Sequence, residues 1–317
     1  MIEAKGLTKR YGTLTALDAL TLNIGPGEVF GFIGPNGAGK STTMKILACL
    51  LTPDAGSATV CGLDVASRGD DIRKVIGYMP DFLGVYDDLT VDEYLQFFAA
   101  AFRIERARRK VIVDQVLELT DLSAKKHALV DSLSRGMQQR LGVARVLIHD
   151  PKVLLLDEPA SGLDPRARIE MRSLLVELGR MGKTLMVSSH ILSELAEMCT
   201  SIGIIERGKL LYAGSIEDAY ARTREAGGHR ERIAVRLEEE GCGVREAAAR
   251  LERDPRVARV VVDEPGRTLA VELNAGSHGH HFVIEALVSV GARIAAFQPE
   301  DVKLEDAFLK LTTGALQ

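Results

Sequence analysis

The feature that most constrains this chain is a glycine-rich octapeptide, GPNGAGKS, at positions 34–41. It follows the short apolar run 29–33 and precedes an amphipathic pattern over 43–50, which are typical of a buried strand and of a helix. Closely spaced glycines let the backbone curl so that successive amide groups face one anion, and the amino end of a helix adds partial positive charge. The sequence therefore predicts a phosphate-binding loop between a strand and a helix.

The residue types of this loop indicate a nucleoside triphosphate bound with Mg²⁺. In such loops the lysine bridges the β- and γ-phosphates, and the hydroxyl that follows it is a Mg²⁺ ligand. We therefore expect Lys40 to take part in catalysis and Ser41 to bind the metal. The residues expected to contact the nucleotide are Gly34, Pro35, Asn36, Gly37, Ala38, Gly39, Lys40, Ser41 and Thr42.

A second apolar run, 153–156, ends in the acidic pair Asp157 and Glu158. In open α/β sheets, ligands bind beyond the carboxyl ends of the strands. We expect Asp157 to hold Mg²⁺ through water and Glu158 to orient or deprotonate the attacking water. An apolar run that ends in Asp-Glu is weak evidence alone, and the phosphate loop makes it strong.

Up to about residue 219, short apolar runs alternate with amphipathic patterns, which is typical of βαβ units around a largely parallel sheet. The runs 29–33, 153–156 and 184–187 are apolar almost throughout, so we expect central strands buried on both faces. Between the first two, Thr90 and Glu93 have the spacing of a capping box at the start of a helix.

The composition changes at 222–230, which is charged, contains glycine and lacks an apolar period, as in a linker. The rest has a βαββαβ order, typical of the ferredoxin-like arrangement. The predicted strands are 233–237, 257–262, 269–273 and 294–297, and the predicted helices are 244–251, 282–290 and a short one from 304.

Three further motifs surround the acidic pair. LSRGMQQR at 133–140 precedes it, SGLD at 161–164 follows it, and SSH at 188–190 ends the third apolar run. With the phosphate loop, they resemble the signature, D-loop and switch-histidine motifs of the ATP-binding cassette (ABC) ATPase family over about residues 2–219. The resemblance implies an α/β P-loop NTPase fold at 1–219 with a helical subdomain at about 84–150. A linker at 220–231 and a small α+β ferredoxin-like domain at 232–317 would follow.

The resemblance also implies how the ATP site is completed. Tyr11 resembles the aromatic residue that stacks on adenine, although a strand-surface tyrosine is the alternative. His190 is expected to contact the γ-phosphate and to hold the attacking water with Glu158. Ser134 and Gly136 are expected at the amino end of a helix that caps the γ-phosphate of ATP on the opposite subunit. Because one chain carries one set of motifs, a homodimer around two ATP–Mg²⁺ is implied.

The chain departs from the family's pattern in two places, the signature motif and the segment before residue 82. Arg135 and Met137 stand where the signature usually has glycine and glutamine, which we expect to affect specificity more than activity. Asp81 stands where the family usually has glutamine. Its carboxylate still offers oxygen, so Asp81 joins Ser41 and Asp157 as an expected Mg²⁺-site residue. Its charge and shorter side chain are expected to alter how a change in the bound nucleotide is transmitted to the membrane partner.

That partner is a separate integral-membrane permease, which family members contact through the region equivalent to 82–102. The aromatic residues of this segment fit either the core of the helical subdomain or a partner groove. The segment 103–110 has five basic residues and one acidic residue, which fits a solvated helix end or attraction to an anionic membrane leaflet. LEDAFL at 304–309 resembles the tail of an accessory domain on ATPases of drug and antibiotic-resistance exporters, which implies dimer stabilisation or regulation.

Composition excludes several classes of protein. The 40 basic and 44 acidic residues give a net charge of −4, too balanced for a nucleic-acid-binding protein. Apolar stretches stay well below the ~18 residues of a membrane span, and no apolar signal region follows the amino terminus. We expect a cytoplasmic protein that is peripheral on the cytoplasmic face of the cell membrane. The widely spaced cysteines are expected to be reduced, and HGHH at 278–281 to be a polar loop rather than a metal site.

These observations predict the ATP-hydrolysing subunit of an ABC transporter, with an exporter favoured over an importer. A non-transport ABC ATPase is a further alternative, as is a binding-only module in which Asp81 has removed turnover. The transported substrate is not readable, because in this family the permease forms the pathway.

Overall fold

The computed structural model describes residues 1–82, 84, 88–219, 232–274 and 279–300. Two compact units divide the chain, Met1–Asp218 and a second that begins at Ala219. The predicted linker 220–231, His278 and the 304–309 motif lie outside the described residues.

Two sheets form the first unit. Its strands are β1 (Ile2–Tyr11), β2 (Leu14–Ile24), β3 (Val29–Ile33), β4 (Ala55–Val60), β5 (Leu63–Asp64), β6 (Ile76–Met79), β7 (Val153–Asp157), β8 (Thr184–Ser189), β9 (Ser201–Glu206) and β10 (Lys209–Ser215). The smaller sheet is antiparallel with the order β2-β1-β4-β5. The larger sheet has the order β10-β9-β3-β8-β7-β6, in which the neighbours from β9 to β6 are parallel and β10 is antiparallel to β9.

The three central strands β3, β7 and β8 are buried at every position, which confirms the predicted buried strands. β7 and β8 run one and two residues beyond the predicted ends, to Asp157 and Ser189. Polar residues give no apolar signal, yet the backbone pairing continues, with Asp157 opposite Ser188. The carboxyl ends of these strands therefore place polar side chains at one edge of the sheet.

The helices of the first unit largely follow the predicted pattern. The helical pattern predicted at 43–50 is wrong at both ends, because Gly39, with φ 113°, turns the chain directly into a helix at Lys40 and Cys49, with φ 56°, follows its end. The helices are α1 (Lys40–Leu47), α2 (Gly69–Val75), α3 (Val91–Ala101), α4 (Arg106–Leu119), α5 (Arg135–Leu147), α6 (Pro165–Arg180) and α7 (Leu192–Ala196).

A capping box starts α3, as predicted. The Oγ1 of Thr90 accepts a hydrogen bond from the backbone N–H of Glu93 at 3.3 Å, and the Glu93 carboxylate accepts from the Thr90 N–H at 2.9 Å. One turn later, the fully buried Tyr94 accepts a hydrogen bond from the guanidinium of Arg145 at 3.2 Å. This contact ties α3 to α5, the helix that begins with the signature motif.

The second unit has the predicted βαββαβ order. Its elements are β11 (Arg232–Leu237), α8 (Val244–Glu252), β12 (Val257–Asp263), β13 (Thr268–Leu273), α9 (His281–Ser289) and β14 (Ile294–Glu300). The sheet order β12-β13-β11-β14, with every neighbour antiparallel, is that of a ferredoxin-like sheet. In the described part of the chain, no helix has the length and apolar character to cross a membrane.

Gly34, the first residue of the octapeptide, leaves β3 against the neighbouring strand β9. A Cβ at Gly34 would overlap the carbonyl oxygen of Ile205 and lie 2.9 Å from the Cγ2 of the same residue. Gly37, at the tip of the loop, has φ 80° but no atom within 4 Å of where a Cβ would lie. The first glycine is therefore required by packing, and the second by backbone conformation.

We expect Gly34→Ala to destabilise the folded protein by about 2–3 kcal/mol, because the backbone of β9 must move to admit the methyl group. Gly37→Ala, which adds only the strain of a left-handed residue, should cost about 1 kcal/mol. Thermal unfolding of both variants without nucleotide measures the difference. Equal losses of stability would contradict the close approach at Ile205.

Candidate active site

The phosphate loop ends in a helix terminus that is open to an anion. Gly39 is the N-cap of α1 and supplies no side-chain hydrogen bond, and the first turn of α1 contains no acidic residue. The first amide groups of a helix have no partner within the helix and carry partial positive charge. Pro35, Asn36 and Gly37 are exposed at the rim of the loop, whereas Ala38 is buried. The loop can therefore present its amides to a phosphate group.

Lys40 crosses the base of this loop and is only 6% exposed. Its Nζ donates to the carbonyl oxygen of Gly34 at 2.6 Å and to that of Pro35 at 3.4 Å. It also lies 3.3 Å from the Oε1 of Glu158. The predicted phosphate-binding cation and the predicted catalytic carboxylate are thus in direct contact.

The acidic pair after β7 is held by one serine of β8. Asp157 is buried, and its Oδ1 accepts a hydrogen bond from the Oγ of Ser188 at 2.6 Å. The same Oγ accepts from the backbone N–H of Glu158 at 2.9 Å. Glu158 has φ 51°, a left-handed conformation that is unusual for a residue other than glycine. This turn directs the Glu158 side chain to Lys40 rather than along the strand.

His190 completes the contacts of Glu158. Its Nδ1 lies 2.9 Å from the Oε2 of Glu158, while Lys40 contacts the other carboxylate oxygen. The Glu158 side chain is 11% exposed and the His190 side chain is 43% exposed. Oε1 of Glu158 accepts no hydrogen bond from the described residues. Lys40 and His190 thus hold the carboxylate from both sides and fix the position from which it would act as a base on water.

A third carboxylate belongs to this cluster. Desolvation and the nearby carboxylates of Asp157 and Glu158 raise the pKa of Asp81, while Arg135 opposes the shift. Burial, with a contribution from Asp157 and Asp81, raises the pKa of Tyr78 to about 12. In both cases burial is the largest cause, and the neighbouring carboxylates add to it.

The residues present fit Mg²⁺ bound together with a nucleotide. Mg²⁺ in such sites is held by one or two carboxylates and by the phosphates, rather than by a cage of protein ligands alone. Asp157 and Asp81 offer carboxylate oxygens, and Ser41 offers a hydroxyl in the first turn of α1. The described residues contain no group of three or more His, Cys, Asp or Glu that could hold a metal. The substrate would therefore have to supply the remaining ligands.

Two other predicted site residues lie on α5. Ser134 is its N-cap, and its Oγ accepts from the Met137 N–H at 3.3 Å, as expected for the amino end of a helix. Gly136 has no room for a side chain, since a Cβ there would lie 2.8 Å from the Cβ of Ala167 in α6. These described contacts join Ser134 and Gly136 to α5 and α6, not to the phosphate loop. Their predicted role on a second subunit does not require contact with that loop.

Tyr11 and Thr42 are the remaining predicted site residues. Tyr11 ends β1 and is 49% exposed, so its ring is accessible. Thr42 is half-buried in the first turn of α1. Ser188 is a functional candidate that the sequence did not indicate, although its hydroxyl contacts both acidic residues. The sequence signal that could have identified Ser188 was a polar residue at the end of an apolar run, two residues before His190.

Comparisons with known proteins agree with this geometry. The family model for the ABC transporter matches residues 17–161. The Nod factor export ATP-binding protein I of Paraburkholderia xenovorans (strain LB400) is 34% identical over 100% of this chain and 98% of that relative. The protein of the same name from Burkholderia pseudomallei (strain 1710b) is 41% identical over 68% of this chain and 70% of that relative.

A solved structure is also similar. The dimeric structure of a post-hydrolysis state of the ATP-binding cassette MJ0796 bound to ADP and Pi is 27% identical, with a TM-score of 0.62 over 68% of this chain and 99% of that one. Because a relative matches the whole chain, and the phosphate loop, Glu158 and His190 meet at one edge of the sheet, this chain belongs to the ABC transporter family as an ATP-hydrolysing, ATP-binding subunit.

Proposed function

We propose that Glu158 is the base for ATP hydrolysis and that the chain works as the ATPase of an exporter. The observation that carries the catalytic role is the Glu158 carboxylate, 3.3 Å from Lys40 and 2.9 Å from His190. Lys40 belongs to the phosphate loop, so the contact that orients the base also sets its distance from bound phosphate. A base fixed beside the reacting group contributes through proximity and proton transfer.

The other roles follow from where each side chain lies. Lys40 bridges the β- and γ-phosphates, while the backbone amides of 34–42 surround them. His190 contacts the γ-phosphate and holds the attacking water with Glu158. Tyr11 stacks on the adenine, for which its exposed ring at the end of β1 is suited.

Ser41, Asp157 and Asp81 hold Mg²⁺ in this proposal, with Asp157 acting through water. Bound Mg²⁺ neutralises charge on the phosphates and on the transferred phosphoryl group. The hydrogen bond from Ser188 fixes the carboxylate of Asp157. Desolvation, and then the carboxylates of Asp157 and Glu158, raise the pKa of Asp81, and a divalent cation would offset the negative charge of these carboxylates.

A second copy of this chain completes each site. The amino end of α5 carries partial positive charge and has no acidic residue in its first turn, so it suits contact with a γ-phosphate through Ser134 and Gly136. The similar MJ0796 cassette is dimeric with ADP and Pi bound. ATP favours the closed dimer because it contacts both subunits, and hydrolysis removes that preference.

An integral-membrane permease contacts the aromatic segment 82–102. Tyr94 is fully buried in the core, whereas Phe97 is 49% exposed and Phe82 is 85% exposed. The exposed rings of Phe82 and Phe97 are available for contact with a partner. Phe82 directly follows Asp81, so a permease contact there would connect the membrane partner with the Mg²⁺ site.

Two observations support export and a position at the cytoplasmic face of the membrane. Both relatives above are named as Nod factor export ATP-binding proteins. In addition, α4 begins with the basic run 106–110 and has no acidic residue in its first turn. Positive charge is unfavourable at the amino end of a helix. Attraction to an anionic membrane leaflet accounts for the position of this basic run at the start of α4.

Glu158→Gln tests the proposed base. Glutamine has the same size but takes no proton from water, so we expect hydrolysis to fall by at least about 100-fold while ATP binding persists. The ATP-bound dimer should then accumulate. Phosphate release, nucleotide binding and size-exclusion chromatography with ATP and Mg²⁺ measure these three outcomes.

Glu177→Gln is the matched control. Glu177 lies on α6, pairs with Arg180 at 3.6 Å and is 51% exposed. It should hydrolyse ATP at the rate of the unaltered protein. Undiminished turnover in Glu158→Gln would remove Glu158 from the role of base.

Phe97→Ser tests the permease surface. We expect loss of co-purification with a co-expressed, tagged permease, and little change in basal ATP hydrolysis, because Phe97 lies on α3 outside the nucleotide site. Met181→Ser, a control at the end of α6, removes a side chain that is 55% exposed. Equal retention of the permease by both variants would exclude this surface as the contact.

A further inference from the structure

Ser188 lies at the centre of the candidate site yet contacts the nucleotide in none of the roles described above. It is fully buried in β8, opposite Asp157 in the parallel register. β8 separates β7, which carries the acidic pair, from β3, which leads into the phosphate loop. Ser188 is therefore the side chain through which the middle strand reaches both acidic residues.

The hydroxyl of Ser188 makes two hydrogen bonds with different consequences. It has one hydrogen to donate, and this is used at 2.6 Å on the Oδ1 of Asp157. That bond fixes the rotation of the carboxylate. Ser188 does not use the Oδ2 of Asp157, so this is the oxygen left for the water-mediated Mg²⁺ contact proposed above.

The second hydrogen bond acts on the backbone of Glu158. The Glu158 N–H donates to the Oγ of Ser188 at 2.9 Å, at a residue with φ 51°. A left-handed conformation costs about 1–2 kcal/mol outside glycine and persists only where surrounding contacts hold it. The bond to Ser188 is one such contact, and it lies at the turn that sends the Glu158 side chain to Lys40 and His190.

We propose that Ser188 is a positioning residue that sets the metal-binding orientation of Asp157 and the catalytic orientation of Glu158 together. This inference rests on the proposed function and adds to it the means of alignment. It predicts that removing one hydroxyl weakens metal binding and turnover in parallel while leaving ATP binding without metal unaffected. A residue that served only to stabilise the fold would not alter metal affinity.

The experiment compares Ser188→Ala with Ser188→Thr, which keeps the hydroxyl. Loss of a residue that orients a metal ligand typically costs 10- to 100-fold in metal affinity or activity. We expect Ser188→Ala to weaken Mn²⁺ binding about tenfold, measured by electron paramagnetic resonance with a non-hydrolysable ATP analogue, and to lower kcat by a similar factor. ATP affinity in EDTA should stay the same, and Ser188→Thr should restore both quantities to within about threefold.

Ser201→Ala is the matched control. Ser201 is also a buried serine of the same sheet whose hydroxyl donates to a carboxylate, that of Glu28, at the opposite end of β3. This variant should lose stability without loss of Mn²⁺ affinity or kcat. If Ser188→Ala does not fold, Ser188→Cys keeps the shape with a weaker donor, and its Mn²⁺ affinity should fall about threefold.

Two results would overturn the inference. The first is a folded Ser188→Ala whose Mn²⁺ affinity and kcat equal those of Ser201→Ala. If only Ser188→Cys folds, the equivalent result is a Mn²⁺ affinity equal to that of Ser201→Ala. The other is a folded Ser188→Thr as defective as Ser188→Ala. Failure of the proposed function is separate, because it would appear as normal turnover in Glu158→Gln. An inactive Glu158→Gln beside an unaffected Ser188→Ala would reject only the role of Ser188.

Discussion

The ion pair between Lys40 and Glu158 is the interaction on which the site depends. The Lys40 side chain is 6% exposed and that of Glu158 is 11% exposed, so water compensates neither charge fully. A charge in such surroundings is stable only beside a partner, and the loss of one partner leaves the other uncompensated. The pair also joins the segments that follow two strands, β3 and β7, which are not neighbours because β8 lies between them. The proposed nucleotide binding at the loop and the proposed chemistry at Glu158 therefore share one contact.

The parallel sheet makes this contact possible. Apolar residues bury β3, β7 and β8 on both faces, and their carboxyl ends meet at one edge. Polar side chains at that edge are still buried, so each needs a hydrogen-bond partner. Asp157 finds its partner in Ser188, and Ser189 donates to Glu194 at 3.2 Å. Burial supplies the rigidity of the site, and the serines of β8 give Asp157 and Glu194 one hydrogen bond each.

Many of the strands and helices were predictable from the sequence, because local patterns of apolar and polar residues determine them. The strand 29–33 was predicted with its observed ends, and the strands of the second unit alternate clearly enough to give their order. The role of Ser188 was not predictable, because it depends on register between segments 31 residues apart. Helical spacing likewise could not separate the buried Tyr94 from the exposed Phe97, since one turn presents both. The sequence does not show which side chains become neighbours in the folded protein.

The two departures from the family's pattern are connected in the structure. The sequence presents Arg135 and Asp81 as separate substitutions of neutral residues. The guanidinium of Arg135 lies over Gly162, where any side chain would collide with it, and its positive charge lowers the pKa of Asp81 against the effects of desolvation and of the other carboxylates. The added negative charge is therefore accompanied by an added positive charge within the same electrostatic neighbourhood. When Asp81 is ionised, the two added charges cancel in the sum near Asp157. The pair then changes the position of charge around the proposed metal site rather than its total.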